Sequence, residues 1–340
     1  MTHVVALRAL GLGDLLTAVP ALRALRRAQP DATISLLAPR WLEPLVGAIG
    51  AVDRLLPVDG LTAVPATLPA PTRGAALAVN LHGRGPQSTE LLRRSGPGRL
   101  LAYADPQRPG SVHGPRWDPG EHEVVRWCRL LEHAGIATDP TDLHLAPPAG
   151  APWGAAGGPP VVIHLGASSA ARRWPADRWA AVAAALRGDG HRILLTGDRS
   201  DRAAAHRVAA AASLPSEAVL AGRTPLAELI AGVAHAALVL VGDTGVAHLA
   251  SAYGTPSVVV FGPVSPAQWG PPPGPHRALW AGRRGDPHGM ATDPGLLELG
   301  VADVLAAARE LLLAEAHRRA ERSPRSAAAG AEGVTAPAVG

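Results

Sequence analysis

The chain has 340 residues, of which 47% are apolar, and this is enough for two α/β domains of about 150 residues with a core each. Its formal net charge of +4 could suggest a nucleic-acid partner, but its arginines are spread along the chain near acidic residues, and aromatic residues make up only 3% of it. These features argue against a nucleic-acid-binding surface, while attraction to an anionic lipid acceptor or membrane surface stays open.

The first 145 residues alternate between apolar runs and helical patterns, and we predict that they form one domain. Strands are predicted at residues 3–8, 33–38, 52–58 and 75–81. An amphipathic helix with Leu and Val at helical spacing follows residue 14, and further helices are predicted at 42–49 and 121–134. Apolar strands that alternate with helices indicate a parallel sheet covered on both faces.

Residues 137–160 contain Pro, Gly and Ala without periodicity and are predicted to be a linker. Strands are then predicted at 161–165, 191–196, 238–241 and 257–261, with helices at 175–187, opened by Pro175, and at 301–318. This pattern predicts a second Rossmann-like domain over residues 158–320. Residues 321–340 are rich in Ala, Gly, Ser and Pro and are predicted to be a disordered tail.

Cys128 is the single cysteine, and it lies in a helical pattern that predicts a core thiol in a reducing compartment. The N-terminus lacks the basic start and apolar core of a signal peptide. The longest apolar run, residues 229–241, is short for a membrane span and contains His235. We therefore expect a cytoplasmic protein. The sequence shows no metal-ligand cluster and no Ser-His-Asp, Cys-His or Walker pattern.

The first motif is Gly11-Leu12-Gly13-Asp14, between the first strand and the first helix. Its two glycines allow a backbone to approach a ligand closely. A dinucleotide-binding fingerprint would need a glycine where Leu16 stands and an acidic residue near Ala38, so a dehydrogenase is disfavoured. Asp14 is either an acidic residue that stabilises the helix N-terminus or a catalytic carboxylate at the sheet edge.

The second motif, residues 165–175, runs from a strand through a loop of small residues to the start of a helix. Loop amides, hydroxyl groups and a helix N-terminus form an anion site, and Arg172 would supply bidentate contacts to a phosphate. The alternative is an ordinary loop with solvated arginines.

The third motif, residues 239–250, is a strand that ends in Gly242-Asp243-Thr244-Gly245 and leads directly into a helix. Thr244 and His248 are four residues apart and share one helix face, so a hydroxyl, an imidazole and the Asp243 carboxylate would surround one anion pocket. The alternative is a plain Asp cap with a half-buried His. The glycines beside Asp243 and Thr244 have no obvious structural need, which favours the pocket.

Together these segments resemble glycosyltransferase family 9, the heptosyltransferases, which have the GT-B fold of two Rossmann-like domains that face a cleft. The resemblance covers residues 10–25, 164–179, 238–254 and 255–270 in the expected order, and more weakly 299–312. It implies metal-independent transfer of heptose, with inversion, from ADP-heptose to a lipid-linked or saccharide acceptor, as in lipopolysaccharide core biosynthesis. The nucleotide sugar would be a co-substrate, and no cofactor is expected.

The resemblance also implies roles for individual residues. Asp14 matches the general base of the N-terminal, acceptor-binding domain, and Arg172 stands where the family carries a phosphate-binding Lys. The residues expected to bind the donor in the C-terminal domain are Ser168, Arg172, Asp201, Asp243, Thr244, Gly245 and His248. Those expected on the acceptor side or in its loops are Gly11, Gly13 and Arg84.

Two other functions fit the same sequence. One is a GT-B glycosyltransferase or epimerase that acts on a different nucleotide sugar, because nothing in the sequence reads the base or the sugar ring directly. The other is an inactive nucleotide-sugar-binding protein, against which the presence of Asp14 together with residues 242–248 argues. The expected partners are a nucleotide sugar and a saccharide or glycolipid acceptor, with peripheral membrane contact, no nucleic acid and a monomeric state.

Overall fold

The computed structural model of the protein describes residues 2–61, 68–105, 107, 112, 114–153 and 158–322. The predicted disordered tail lies outside these residues, apart from positions 321 and 322, which end the last helix. Positions 154–157 of the predicted linker also lie outside them.

The N-terminal half contains a five-stranded parallel sheet with the order β3-β2-β1-β4-β5. Its strands are β1 His3–Leu7, β2 Thr33–Ala38, β3 Arg54–Pro57, β4 Leu77–Asn80 and β5 Arg99–Leu101. Its helices are α1 Leu12–Thr17, α2 Val19–Ala28, α3 Glu43–Ile49, α4 Gln87–Arg94 and α5 Glu123–Glu132.

The C-terminal half contains a second five-stranded parallel sheet, with the order β10-β9-β8-β6-β7. Its strands are β6 Val161–His164, β7 Ile193–Thr196, β8 Leu238–Gly242, β9 Ser257–Phe261 and β10 His276–Trp280. Its helices are α6 Ala176–Gly188, α7 Arg202–Ala211, α8 Leu226–Ala234, α9 Gly245–Tyr253, α10 Pro266–Trp269, α11 Pro294–Glu298 and α12 Val301–Arg322. The predicted pair of parallel-sheet α/β domains is confirmed.

The helix predicted after Asp14 is broken in two. The first part, α1, ends at Thr17, and α2 begins at Val19. Pro20 causes the break, because it has no amide hydrogen to donate and its ring clashes with the carbonyl of Leu16 in a continuous helix. The prediction of a single helix was therefore wrong, although its apolar face is buried as expected.

Both faces of each sheet are buried. Along β1, Val4 and Ala6 join one apolar cluster while Val5 and Leu7 join another, as the alternation of side chains across a strand requires. The largest cluster continues without interruption into the C-terminal half, where it includes residues of β8 and α9. Cys128 is buried and free, as predicted, and burial raises the pKa of its thiol to about 11.

The predicted linker is irregular in structure but firmly attached. Asp142 accepts a 2.6 Å hydrogen bond from Arg23 of α2, which ties it to the N-terminal half. Three residues later, the amide of Leu145 donates to the carbonyl of Ala252 in α9 at 2.8 Å. The indole of Trp153 packs against Gly232 of α8, so the second part of the linker belongs to the C-terminal half.

Among the described residues, no helix has the length and apolar character needed to cross a membrane.

Candidate functional site

The candidate site begins where the two halves touch, at the N-termini of α1 and α9. A Cβ atom added to Gly245 would lie 2.9 Å from the backbone nitrogen of Gly13, and one added to Gly13 would lie 2.7 Å from the His248 ring. The expectation that the glycine beside Thr244 has no structural need was therefore wrong for Gly245. Two helix ends can meet this closely only where side chains are missing.

Asp14 stands in the first turn of α1, one residue after this contact. Its Oδ2 accepts a 3.1 Å hydrogen bond from the amide of Gly11, the residue that caps the helix. The carboxylate thus stabilises the helix start, as one of the two interpretations of the motif requires. Its side chain is also 29% exposed, so the carboxylate remains accessible from solvent.

Arg8 lies directly behind Asp14 and is completely buried. Its Nε donates to the backbone carbonyl of Asp14 at 2.8 Å, and its Nη2 lies 3.5 Å from Asp14 Oδ1 and 3.0 Å from Glu123 Oε1. The guanidinium also lies over the Trp127 ring, 4.5 Å from its centroid. Neither Arg8 nor Glu123 was predicted. The signal in the sequence was a charged residue at the end of an apolar strand, just before the glycine motif.

His82 follows β4 on the same sheet edge. Burial lowers the pKa of its imidazole to about 4, Arg8 contributes in the same direction, and Asp14 opposes both. The ring is therefore neutral near pH 7, and its Nδ1 has no hydrogen-bond partner among the described residues. Arg84, predicted on the acceptor side, is exposed in the loop that follows.

Three of the predicted donor residues come together on the other side of the contact. The loop after β6 ends in a short 3-10 turn, Ala170–Arg172, from which Arg172 reaches to Ser168 and donates to its hydroxyl. The Arg172 Nη1 lies 3.7 Å from Asp243 Oδ2 at the end of β8. Burial raises the pKa of Asp243 to about 6, and Arg172 partly opposes this effect.

Thr244 and His248 differ in their surroundings. Thr244 is the N-cap residue of α9, and its buried hydroxyl oxygen has no hydrogen-bond partner within the described part of the chain. His248 packs edge-on against Trp269, with ring centroids 5.8 Å apart, and faces Gly13 across the contact between the halves. Burial lowers the pKa of His248 to about 4, so its imidazole is neutral.

Asp201, which was also expected to bind the donor, is hydrogen-bonded to protein groups. It is only 1% exposed, and both of its oxygens have protein partners. The oxygen Oδ1 accepts from Arg173 at 2.8 Å, and Oδ2 accepts from the amide of Asp198 at 2.9 Å. In this conformation Asp201 therefore holds the loop that carries Arg173.

A segment near residues 285–293 lies against the loop between β6 and α6 and was not predicted. The hydroxyl of Ser169 donates to the carbonyl of Pro287 at 2.6 Å, and the amide of Ala171 donates to that of Gly289 at 3.1 Å. Asp293 is buried, and its backbone amide donates a 3.2 Å hydrogen bond to the Ala171 carbonyl. These contacts fix the conformation from which Arg172 projects.

An apolar cavity of about 200 Å³ lies between the halves, beside His248. Side chains of α1, the start of α5, the linker and α9 line it, among them Leu16, Val125, Leu143 and Ala252. Within the described ranges, no group of three or more His, Cys, Asp or Glu side chains could hold a metal ion.

Comparison with known proteins shows which family the chain matches. Residues 113–288, more than half of the chain, match glycosyltransferase family 9 (heptosyltransferase). A stretch of 158 residues is 33% identical to lipopolysaccharide heptosyltransferase 3 of Escherichia coli and covers 45% of this chain and 46% of that protein. The chain thus aligns with about half the length of this curated relative.

Two solved structures share the fold over almost the whole chain. The E. coli ADP-heptose lps heptosyltransferase II is 22% identical, with a TM-score of 0.75, and the match covers 93% of this chain and 99% of that one. The E. coli heptosyltransferase WaaC with ADP-2-deoxy-2-fluoro heptose is 19% identical, with a TM-score of 0.65 and coverage of 92% and 99%. At these identities the likeness shows the fold, two parallel-sheet domains in the GT-B arrangement.

Proposed function

The chain belongs to glycosyltransferase family 9, and on that basis we propose that it transfers heptose from ADP-heptose to a lipid-linked or saccharide acceptor, with inversion at the anomeric carbon. The names of its relatives support this donor, because one neighbour in fold is a heptosyltransferase with a fluorinated ADP-heptose. The proposed domains are an acceptor domain over residues 1–145 and a donor domain over 158–320.

The main observation behind the proposal is that the partly exposed Asp14 carboxylate and the candidate anion site at Arg172 both lie next to the contact between α1 and α9. Gly13, which precedes Asp14, touches Gly245, which follows Asp243 by two residues. Asp14 is thereby brought to the side of the C-terminal half on which Arg172 and Asp243 are paired. Crevices at the carboxyl ends of parallel strands are where such sheets bind their ligands.

The chemistry follows from the residue types. The acceptor oxygen forms a bond to the anomeric carbon while the bond from that carbon to the diphosphate oxygen breaks, and the hydroxyl proton passes to Asp14. The departing ADP gains negative charge, which the Arg172 guanidinium and the amides at the start of α9 would stabilise. With these groups in place, we propose that the transfer needs no metal ion.

The acceptor would reach Asp14 from the N-terminal half, past His82 and Arg84. A glycolipid acceptor implies contact with the inner face of a membrane. Trp41, which is 51% exposed in the turn after β2, is of the residue type that prefers a membrane–water interface.

The test compares Asp14→Asn with the wild type in donor binding and in transfer. We expect calorimetry to give unchanged affinity for ADP-heptose, and transfer to fall by about 10²- to 10⁴-fold, the usual contribution of a general base. The matched control is Asp31→Asn, an exposed carboxylate in the turn before β2, which should leave both quantities unchanged. Wild-type turnover by Asp14→Asn would remove Asp14 from the mechanism. Failure of the wild type to bind ADP-heptose, with binding of a UDP- or GDP-sugar instead, would refute the proposed donor.

A further inference from the structure

A cluster of buried charges extends from the candidate site into the interior of the N-terminal half. Arg8, Glu123 and Arg126 have side chains that are at most 6% exposed, and they stand behind the more accessible Asp14. The cluster contains two guanidinium groups and two carboxylates, so its formal charges balance. Buried charges of this kind are stable only when each is paired.

Glu123 is the centre of this cluster, although it lies 115 positions from Arg8 in the sequence. As the first residue of α5, it stands at a helix N-terminus, where negative charge is favourable. Its Oε1 accepts from Arg8 Nη2 at 3.0 Å and from the Trp127 indole at 3.0 Å, and its Oε2 accepts from Arg126. The Glu123 side chain is therefore held in one orientation.

The nitrogen Arg8 Nη2 has more acceptors than hydrogens. It carries two hydrogens, and three oxygens lie within reach: Glu123 Oε1 at 3.0 Å, Thr17 Oγ1 at 3.1 Å and Asp14 Oδ1 at 3.5 Å. The two hydrogens are therefore shared among three acceptors, and the hydrogen bond to Asp14 is the longest of the three. A carboxylate in a short ion pair with a guanidinium is a poorer proton acceptor than one that is not.

We propose that Glu123 is a positioning residue for the transfer reaction. This proposal rests on the proposed role of Asp14 as the base. Glu123 holds the Arg8 guanidinium close to its own carboxylate and away from Asp14. The Asp14 oxygen Oδ1 thereby stays available to the hydroxyl of the acceptor. Without the negative charge of Glu123, Arg8 Nη2 would form a shorter ion pair with Asp14 Oδ1. The guanidinium would then compete with the acceptor hydroxyl for that oxygen.

The first measurement is steady-state transfer by Glu123→Gln, which keeps the size of the side chain and removes its charge. We expect kcat to fall about tenfold or more, as befits a base weakened by an ion pair. The KM for ADP-heptose should stay unchanged, because the donor binds to the other half. The control is Glu121→Gln, which breaks a more exposed pair with Arg129, at 2.6 Å, that does not touch Asp14. This control should keep the wild-type kcat.

Two further variants separate positioning from a general loss of structure. Glu123→Asp keeps the charge and should retain more of the wild-type kcat than Glu123→Gln does. In an Arg8→Gln background, Glu123→Gln should change kcat by less than about twofold, because the group that it restrains is no longer there. Multiplicative losses in the double variant, or a Glu123→Asp enzyme slower than Glu123→Gln, would overturn the proposal.

These outcomes differ from a failure of the proposed function. If the wild type shows no transfer from ADP-heptose, the proposed function fails. If the wild type transfers heptose and Glu123→Gln does so at the same kcat, only the positioning role is wrong.

Discussion

The contact between α1 and α9 predicts that a single methyl group will disturb both stability and turnover. In Gly245→Ala the new Cβ would lie 2.8 Å from Leu12 Cβ and 2.9 Å from the backbone nitrogen of Gly13. Non-bonded carbon atoms prefer separations of about 3.5–4.0 Å, so the helix ends must move apart by roughly 0.6–1.2 Å. One of the obstructing atoms belongs to the backbone, and it cannot swing away as the end of a side chain could.

The displacement has two measurable consequences. Overpacking of this kind typically costs about 1–3 kcal/mol of unfolding free energy. Asp14 moves with α1, and a misplacement of about 1 Å in a reacting group can cost about 10²-fold in rate. We therefore expect Gly245→Ala to unfold at a temperature several degrees lower and to have a kcat reduced about 10- to 100-fold.

Thermal unfolding and steady-state transfer, measured side by side, test this expectation. The control is Gly47→Ala in α3, where an added Cβ meets no atom within 4 Å. A helical Gly→Ala change in open space should stabilise by about 0.5–1 kcal/mol and leave kcat unchanged. If Gly245→Ala behaves like Gly47→Ala in both assays, the reasoning from the helix contact is refuted.

Two further predictions concern the donor side. Burial raises the pKa of Asp243 to about 6, above the value of 3.8 for a free carboxyl. The neutral Asp243 carboxyl therefore favours the folded state below pH 4, and this stabilisation is lost as the pH rises through 6 and the buried group ionises. Asp243→Asn should therefore be more stable than the wild type at pH 8, by up to about 3 kcal/mol, with no difference near pH 4 and with weaker donor binding. Equal unfolding temperatures at pH 8 would contradict the burial of a charged Asp243. Transfer should also persist in excess EDTA, because Arg172 would meet the charge on the departing ADP. Loss of activity that added metal restores would show that a cation takes part.

Local patterns in the sequence were sufficient to predict the buried strands. The strands β1, β2, β3, β4, β6, β7, β8 and β9 lie within two residues of their predicted ends, and β3 and β7 among them are edge strands. The strands β5 and β10 were missed, and both lie at the edge of a sheet. Arg99–Leu101 and His276–Trp280 are partly exposed and contain Arg or His, so they lack the continuous apolar run of a buried strand, which the edge strand β7 has.

The candidate site was predictable only where its residues follow one another. Asp14 and Asp243 stand in short glycine motifs at strand ends, and the structure brings their segments together. The pairing of Arg8 with Glu123 joins positions 115 residues apart, which no local pattern can show. The need for Gly245 has the same origin, because its close neighbour Gly13 lies in the other half of the chain.

The anchored linker restricts how the two halves can move. Upstream, Asp142 is bonded to Arg23 of the N-terminal half, and downstream Leu145 is bonded to Ala252 of the C-terminal half. The chain between these anchors consists of two residues, Leu143 and His144. A rotation that preserves both anchors must therefore take its torsional change at this single pivot. A rotation about this pivot that moved Gly13 away from Gly245 would leave each sheet intact, so opening of the cleft would be a rigid-body motion of the two halves.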